Sequence, residues 1–86
     1  MYTVVFSKQA QKDKALLKAA GLDGKARALL DLLMDDPFKT PPSLEKLTGD
    51  LHGLYSRRLN RQHRIVYAVQ QQTQVVHVLR MWTHYE

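Results

Sequence analysis

Apolar positions follow two different spacings in the two halves of this chain. YTVVF, residues 2–6, is a β-branched and aromatic run that predicts an opening strand. Ser7 follows where its hydroxyl can accept from the free amides of a helix start. Residues 8–20 are rich in Lys, Gln, Ala and Leu, all good helix formers, and Gly21 is a natural stop. A second helix starts near Asp23, because Ala26, Leu29, Leu30 and Leu33 recur at i, i+3, i+4 and i+7 and stack on one face. Asp35 and Asp36 precede Pro37, which disfavours further helix. PFKTPPS, residues 37–43, holds all three prolines and reads as an ordered connector. Gly49 and Gly53 then bracket a turn-rich passage, LTGDLHG. Beyond it the period shortens to two, and three strands are predicted at residues 54–60, 63–70 and 74–81. NRQ links the first pair and QQQT the second.

Helices that precede the strands, rather than alternating with them, define an α+β domain. The expectation is a single domain over residues 1–86, with two N-terminal helices packed on an antiparallel sheet of about four to five strands. The helical pair covers one sheet face and leaves the other partly open. Alternation puts Leu54, Ser56 and Arg58 on one face and Tyr55, Arg57 and Leu59 on the other. On the next strand Ile65, Tyr67 and Val69 read as the core side, so Arg64 projects from the open face.

Composition narrows the function. The chain carries a formal net charge of +5, which favours an anionic partner, with nucleic acid the leading candidate. A solubilising role for that charge is the plain alternative. With no cysteine there is neither a disulfide framework nor a thiolate metal site. No apolar run approaches a membrane span, and the N-terminus lacks a charged stretch before its short apolar run, so the expected compartment is the cytoplasm. His52, His63, His77 and His84 form no HExxH or similar short-range pair, so no metal site is expected. The glycines are not in phosphate-loop spacing, and Ser56 lies in no GxSxG elbow.

What stands out is a carboxylate after the proline-rich connector (Glu45), an arginine on a strand (Arg64) and an imidazole–phenol pair near the end (His84, Tyr85). PSLEKLTGDLHGLYSRRLNRQHRIVYAV, followed by a terminal HY, resembles the YoeB/Txe toxins of the RelE superfamily. The resemblance is close over residues 44–85 and extends to the helical half in pattern. It implies a RelE-like fold and a cytoplasmic toxin that cleaves messenger RNA at the bacterial ribosome and is silenced by a cognate YefM-like antitoxin. A homodimer is a further expectation, and no cofactor is implied. The family's catalytic glutamate, arginine and histidine–tyrosine pair match Glu45, Arg64, His84 and Tyr85. Arg58 matches a second basic residue beside the phosphate, and Arg57 and Arg61 join it as expected RNA contacts. Three departures are visible. Glu86 adds a residue after the tyrosine, Thr48 stands where the family often has a lysine, and MWTHY runs one residue longer than the usual ending.

The residue types suit such chemistry on their own terms. The 2′-hydroxyl of RNA lies beside the adjacent phosphate, so cleavage needs a base, a cation for the crowded phosphorane and an acid for the departing 5′-oxygen. Glu45 fits the base and Arg64 a bidentate clamp. His84 fits the acid, with an ordinary pKa of about 6.5. Tyr85 can orient the phosphate or stack on a base, and Trp82 anchors the tail. Two other readings keep the fold but not the chemistry: a ParE-like toxin that acts by binding DNA gyrase, and a basic nucleic-acid-binding module.

Overall fold

Strand β1 (Thr3–Phe6) passes the chain to helix α1 (Lys8–Ala19) through Ser7. The computed structural model describes residues 1–82. Ser7 caps α1 by accepting from the Ala10 amide at 3.0 Å, and its hydroxyl donates to the Leu79 carbonyl at 2.7 Å. One residue therefore both starts the helix and ties it to the far end of the chain. Gly21, at φ 73°, ends α1 in a left-handed conformation that a β-carbon would strain. The Leu22 amide then reaches the Leu17 carbonyl and the Gly21 amide the Lys18 carbonyl, which satisfies the last turn.

Helix α2 (Asp23–Asp35) buries Ala26 and Leu33 and lays Leu29 and Leu30 half-buried beside them. This is the stripe its spacing predicts. The helix ends as Asp36 turns extended and its carboxylate accepts from the Phe38 amide. The connector then leads into β2 (Glu45–Lys46), β3 (Leu54–Arg58), β4 (Arg64–Gln70) and β5 (Val75–Arg80). The sheet order is β1-β5-β4-β3-β2.

The sheet is mixed rather than antiparallel throughout. Strands β3 to β5 form the expected antiparallel meander and β2 extends it antiparallel, but β1 pairs with β5 in parallel. Parallel neighbours need a crossover, and the helical pair together with the rest of the sheet supplies it. Residue patterns identify strands without specifying which neighbour each one meets or in which direction. Strand β2 is only two residues long and carries no periodic signature, yet Glu45 pairs opposite Ser56.

Ile65, Tyr67, Val76 and Val78 face the helices and pack with Leu17, Leu33 and Met81. Val66 is buried on the opposite face of β4, while Ile65 and Tyr67 are fully buried on its expected core side, where Val69 is half-buried. Arg57 shares that interior face and is only 1% exposed. This overturns its expected role as an RNA contact, because the guanidinium cannot meet a phosphate from inside the domain. Its nitrogens donate instead to the Tyr67 hydroxyl at 3.0 Å and to the carbonyls of Pro42, Pro37 and Lys39 at 2.8, 3.0 and 2.6 Å. Tyr67 adds a bond of its own to the Pro37 carbonyl at 2.8 Å. Burial pushes the Tyr67 phenol above its usual pKa, and the adjacent Arg57 partly offsets that rise. The connector is thus stitched to the core by a single buried cation. Phe38 set edge-on to Tyr55, and Tyr55 stacked on Tyr67, extend the seam.

Arg57→Met keeps the volume but strips donors from three carbonyls and a phenol. Stability in denaturant titration should fall by about 3–5 kcal/mol, as when one partner of a buried polar network is lost. The salt dependence of RNA binding should remain that of the wild type.

Candidate active site

The open face of the sheet, at its β2 end, holds a cleft of about 330 Å³ lined by Pro42, Ser43, Glu45, Ser56, Arg58 and Arg64. Strand register builds it. Glu45 pairs with Ser56, and Arg58 with Arg64, so side chains of β2, β3 and β4 converge on one patch. Arg64 donates to the Glu45 carboxylate at 2.7 Å and to the Ser56 hydroxyl at 3.1 Å. The Arg64 side chain is 13% exposed and the Glu45 side chain 56%. The arginine is therefore held by the sheet, while the carboxylate reaches it from a short edge strand open to solvent. A cation braced by the sheet beside an accessible carboxylate suits a phosphate clamp beside a proton acceptor.

Arg58 is exposed on the same cleft and adds a second guanidinium to its lining. Arg61 is exposed in the turn between β3 and β4 and does not line the cleft. Asn60 shapes that turn by accepting from the amides of Gln62 and His63, each at 2.8 Å. Thr48 is exposed just after β2, and Lys46 is the nearest exposed lysine along the chain. His84, Tyr85 and Glu86 lie outside the described residues. Among the described residues, no group of three or more His, Asp or Glu side chains is gathered as metal ligands.

Two residues of the site region escape sequence reasoning. Ser56 carries no motif, but it sits buried between Glu45 and Arg64 and receives a bond from the latter. Asp13 is the only acid in a lysine-rich helix and lies on the stripe of Ala10 and Leu17, both buried. A carboxylate on an apolar stripe is the signal that could have found it. Its Oδ2 accepts from Arg80 Nε at 3.0 Å, the Met81 amide at 2.9 Å and the Trp82 amide at 3.2 Å. Gln9 donates to its Oδ1. Burial alone would raise the Asp13 pKa, but the Met81 amide, Arg80 and Gln9 outweigh it and hold the carboxyl below its usual value. Past β5, the Trp82 ring lies flat on His63, with centroids 3.7 Å apart and planes 18° from parallel.

These elements define a small two-helix α+β domain with a cationic cleft on its exposed sheet face, and comparison with known proteins places it in a family. The family model described as a YoeB-like toxin of bacterial type II toxin–antitoxin systems matches residues 6–85. The chain belongs to that family. A Toxin YoeB from Synechocystis is 39% identical over 59 residues, which is 69% of this chain and 62% of the relative. The matched stretch therefore spans less than two thirds of that relative's length. Among solved structures, a YoeB/ParE toxin from Agrobacterium tumefaciens superposes with a TM-score of 0.86 at 28% identity, covering 96% of this chain and 99% of the other. The YoeB–YefM heterotetramer from Staphylococcus aureus gives 0.81 at 28% identity, covering 99% of each chain.

Two measurements follow from this geometry. Replacing Arg58 and Arg61 together should flatten the fall of RNA affinity with salt by roughly one to two units of log–log slope, since each lost phosphate contact removes about 0.7–0.9. The second concerns acid. A carboxyl held below its usual pKa stabilises the fold above the unfolded-chain value of about 4 and loses that contribution as pH falls through the folded value. The gap in melting temperature between wild type and Asp13→Asn should therefore be widest near neutrality and shrink below about pH 4.

Proposed function

We propose that this toxin is a ribosome-associated endoribonuclease that cleaves messenger RNA without a metal. The observation that carries this reading is the Arg64–Glu45 contact at 2.7 Å across a cleft also lined by Arg58 and Ser56. In the unliganded cleft the cation and carboxylate hold one another. A scissile phosphate entering beside Arg64 takes up the guanidinium and leaves Glu45 facing the ribose.

Glu45 then accepts the 2′-hydroxyl proton as that oxygen bonds to phosphorus. Arg64 and Arg58 stabilise the added negative charge of the phosphorane, where the planar fork of arginine gives two parallel bonds. The bond from phosphorus to the 5′-oxygen breaks, and His84 donates the proton that the leaving oxygen requires. Tyr85 orients the phosphate or stacks on a neighbouring base. The products are a 2′,3′-cyclic phosphate and a 5′-hydroxyl, so atoms and charges balance.

An acidic, partly disordered antitoxin segment of the YefM kind fits the cationic cleft, folding as it binds and covering Arg64 and Arg58. The heterotetramer that the Staphylococcus aureus YoeB forms with YefM supports a partner of that kind.

Incubation of the purified protein with ribosomes and mRNA, with the cut ends mapped, tests the reading. Cyclic-phosphate and 5′-hydroxyl ends are expected. Intact mRNA where a control nuclease cuts would overturn it, and toxicity retained in His84→Ala would point to a binding toxin instead. His84→Gln should melt like the wild type and lose about 10²–10⁴-fold in single-turnover rate. Arg64→Lys should be severely impaired, because a point charge does not reproduce the fork. Glu45→Gln should shift residual cleavage to higher pH, as hydroxide replaces the lost base.

A further inference from the structure

Residues 80–82 are gripped from two sides before the chain reaches its proposed acid. From helix α1, Asp13 collects the Arg80 side chain and two consecutive amides, Met81 and Trp82, on one oxygen. Arg80 closes the loop by donating to the Trp82 carbonyl at 2.8 Å. From the turn before β4, His63 lies against the Trp82 ring, one residue before Arg64. Asp13 itself is fully buried, and Gln9 donates to its other oxygen.

The geometry points to Asp13 as a positioning residue that fixes residues 80–82, the stretch that His84 and Tyr85 follow along the chain. This rests on the cleavage mechanism proposed above. His84 follows Trp82 by two residues, at most about 7 Å of extended chain. A displacement at residue 82 therefore acts close to the proposed acid along the chain, and a misplacement of about 1 Å can reduce a rate by about 100-fold. A carboxylate serving stability alone needs only one bond to the end of β5. Asp13 instead converges two backbone amides and a guanidinium on the last residues before the tail, while His63 joins the same point to the strand that carries Arg64.

Trp82 is the single tryptophan of the chain, so its fluorescence reports this segment directly. In the full-length protein, Asp13→Asn keeps an acceptor oxygen but loses the charge. Under conditions where far-ultraviolet circular dichroism shows a folded protein, its tryptophan emission should shift to the red. Its single-turnover rate at saturating RNA should fall about 10–100-fold, while affinity for RNA bearing a 2′-deoxy sugar at the cut site changes less than about twofold. RNA with sulfur bridging at the scissile 5′ position supplies the decisive comparison, because a thiolate departs without a proton donor. On that substrate both Asp13→Asn and His84→Gln should come within about threefold of wild type. Asp13→Glu, which keeps the charge on a longer arm, should show the same rescue and serves if the asparagine variant does not fold. A folded variant with wild-type emission and rate, or equal losses on both substrates, overturns the role of Asp13. If His84→Gln cuts ordinary RNA at the wild-type rate, the cleavage mechanism fails instead, while the emission shift still reads the grip of Asp13 on residue 82.

Discussion

A guanidinium enclosed by peptide carbonyls holds this domain's second half to its first. Arg57 sits inside the protein with no described carboxylate beside it, and its charge is met by the carbonyls of Pro37, Lys39 and Pro42 and by the Tyr67 hydroxyl. An unpaired buried charge is costly, but several bonds from carbonyl dipoles compensate it. Arginine suits the task because its donors diverge in one plane, whereas an ammonium is a compact point charge. The result fixes a proline-rich segment that has no regular hydrogen bonding of its own. That segment delivers Glu45 to the edge of the sheet.

Asp13 does the reciprocal job with the opposite charge. It is a buried anion on α1 that binds backbone donors at the end of β5, as Arg57 is a buried cation on β3 that binds backbone acceptors in the connector. Each pins a stretch of irregular chain to regular structure, where backbone groups would otherwise have no ladder partners. Arg58 and Glu45 are exposed and Arg64 is partly so, and these three line the cleft while the interior charges carry the architecture.

The two charged groups that meet in the cleft differ in exposure. Arg64 opens β4, is paired there with Arg58 of β3, and is braced by the Ser56 hydroxyl, so the sheet fixes its position. Glu45 stands on a two-residue edge strand and is more than half exposed, which leaves it free to exchange one partner for another. Electrostatic stabilisation rewards donors that are in place beforehand, and proton transfer needs a group that can close on its target. In the cleavage mechanism proposed above, Arg64 fills the first role and Glu45 the second.

Much was legible in the residues alone. The Ser7 cap, the Gly21 stop, the stripe of α2 and the three long strands all follow from local rules, and they survive in the fold within a residue or two. Glu45 and Arg64 stood out by type and place, and the fold brings them together. Arg57 shows where reading by residue type misleads. Alternation had already put it on the face of Tyr55 and Leu59, yet arginine on a strand suggested a phosphate. Whether a charged side chain is buried depends on which groups surround it, and those groups came from 15 to 20 residues upstream. The parallel pairing of β1 with β5, the strand at Glu45 and the grip of Asp13 on residues nearly 70 positions away are of the same kind. Periodicity and capping act over a few residues, so sequence determined the elements and the candidate chemistry. Partners distant along the chain are chosen by the packing of the whole domain, and only the tertiary structure decided which charges hold it together and which face solvent.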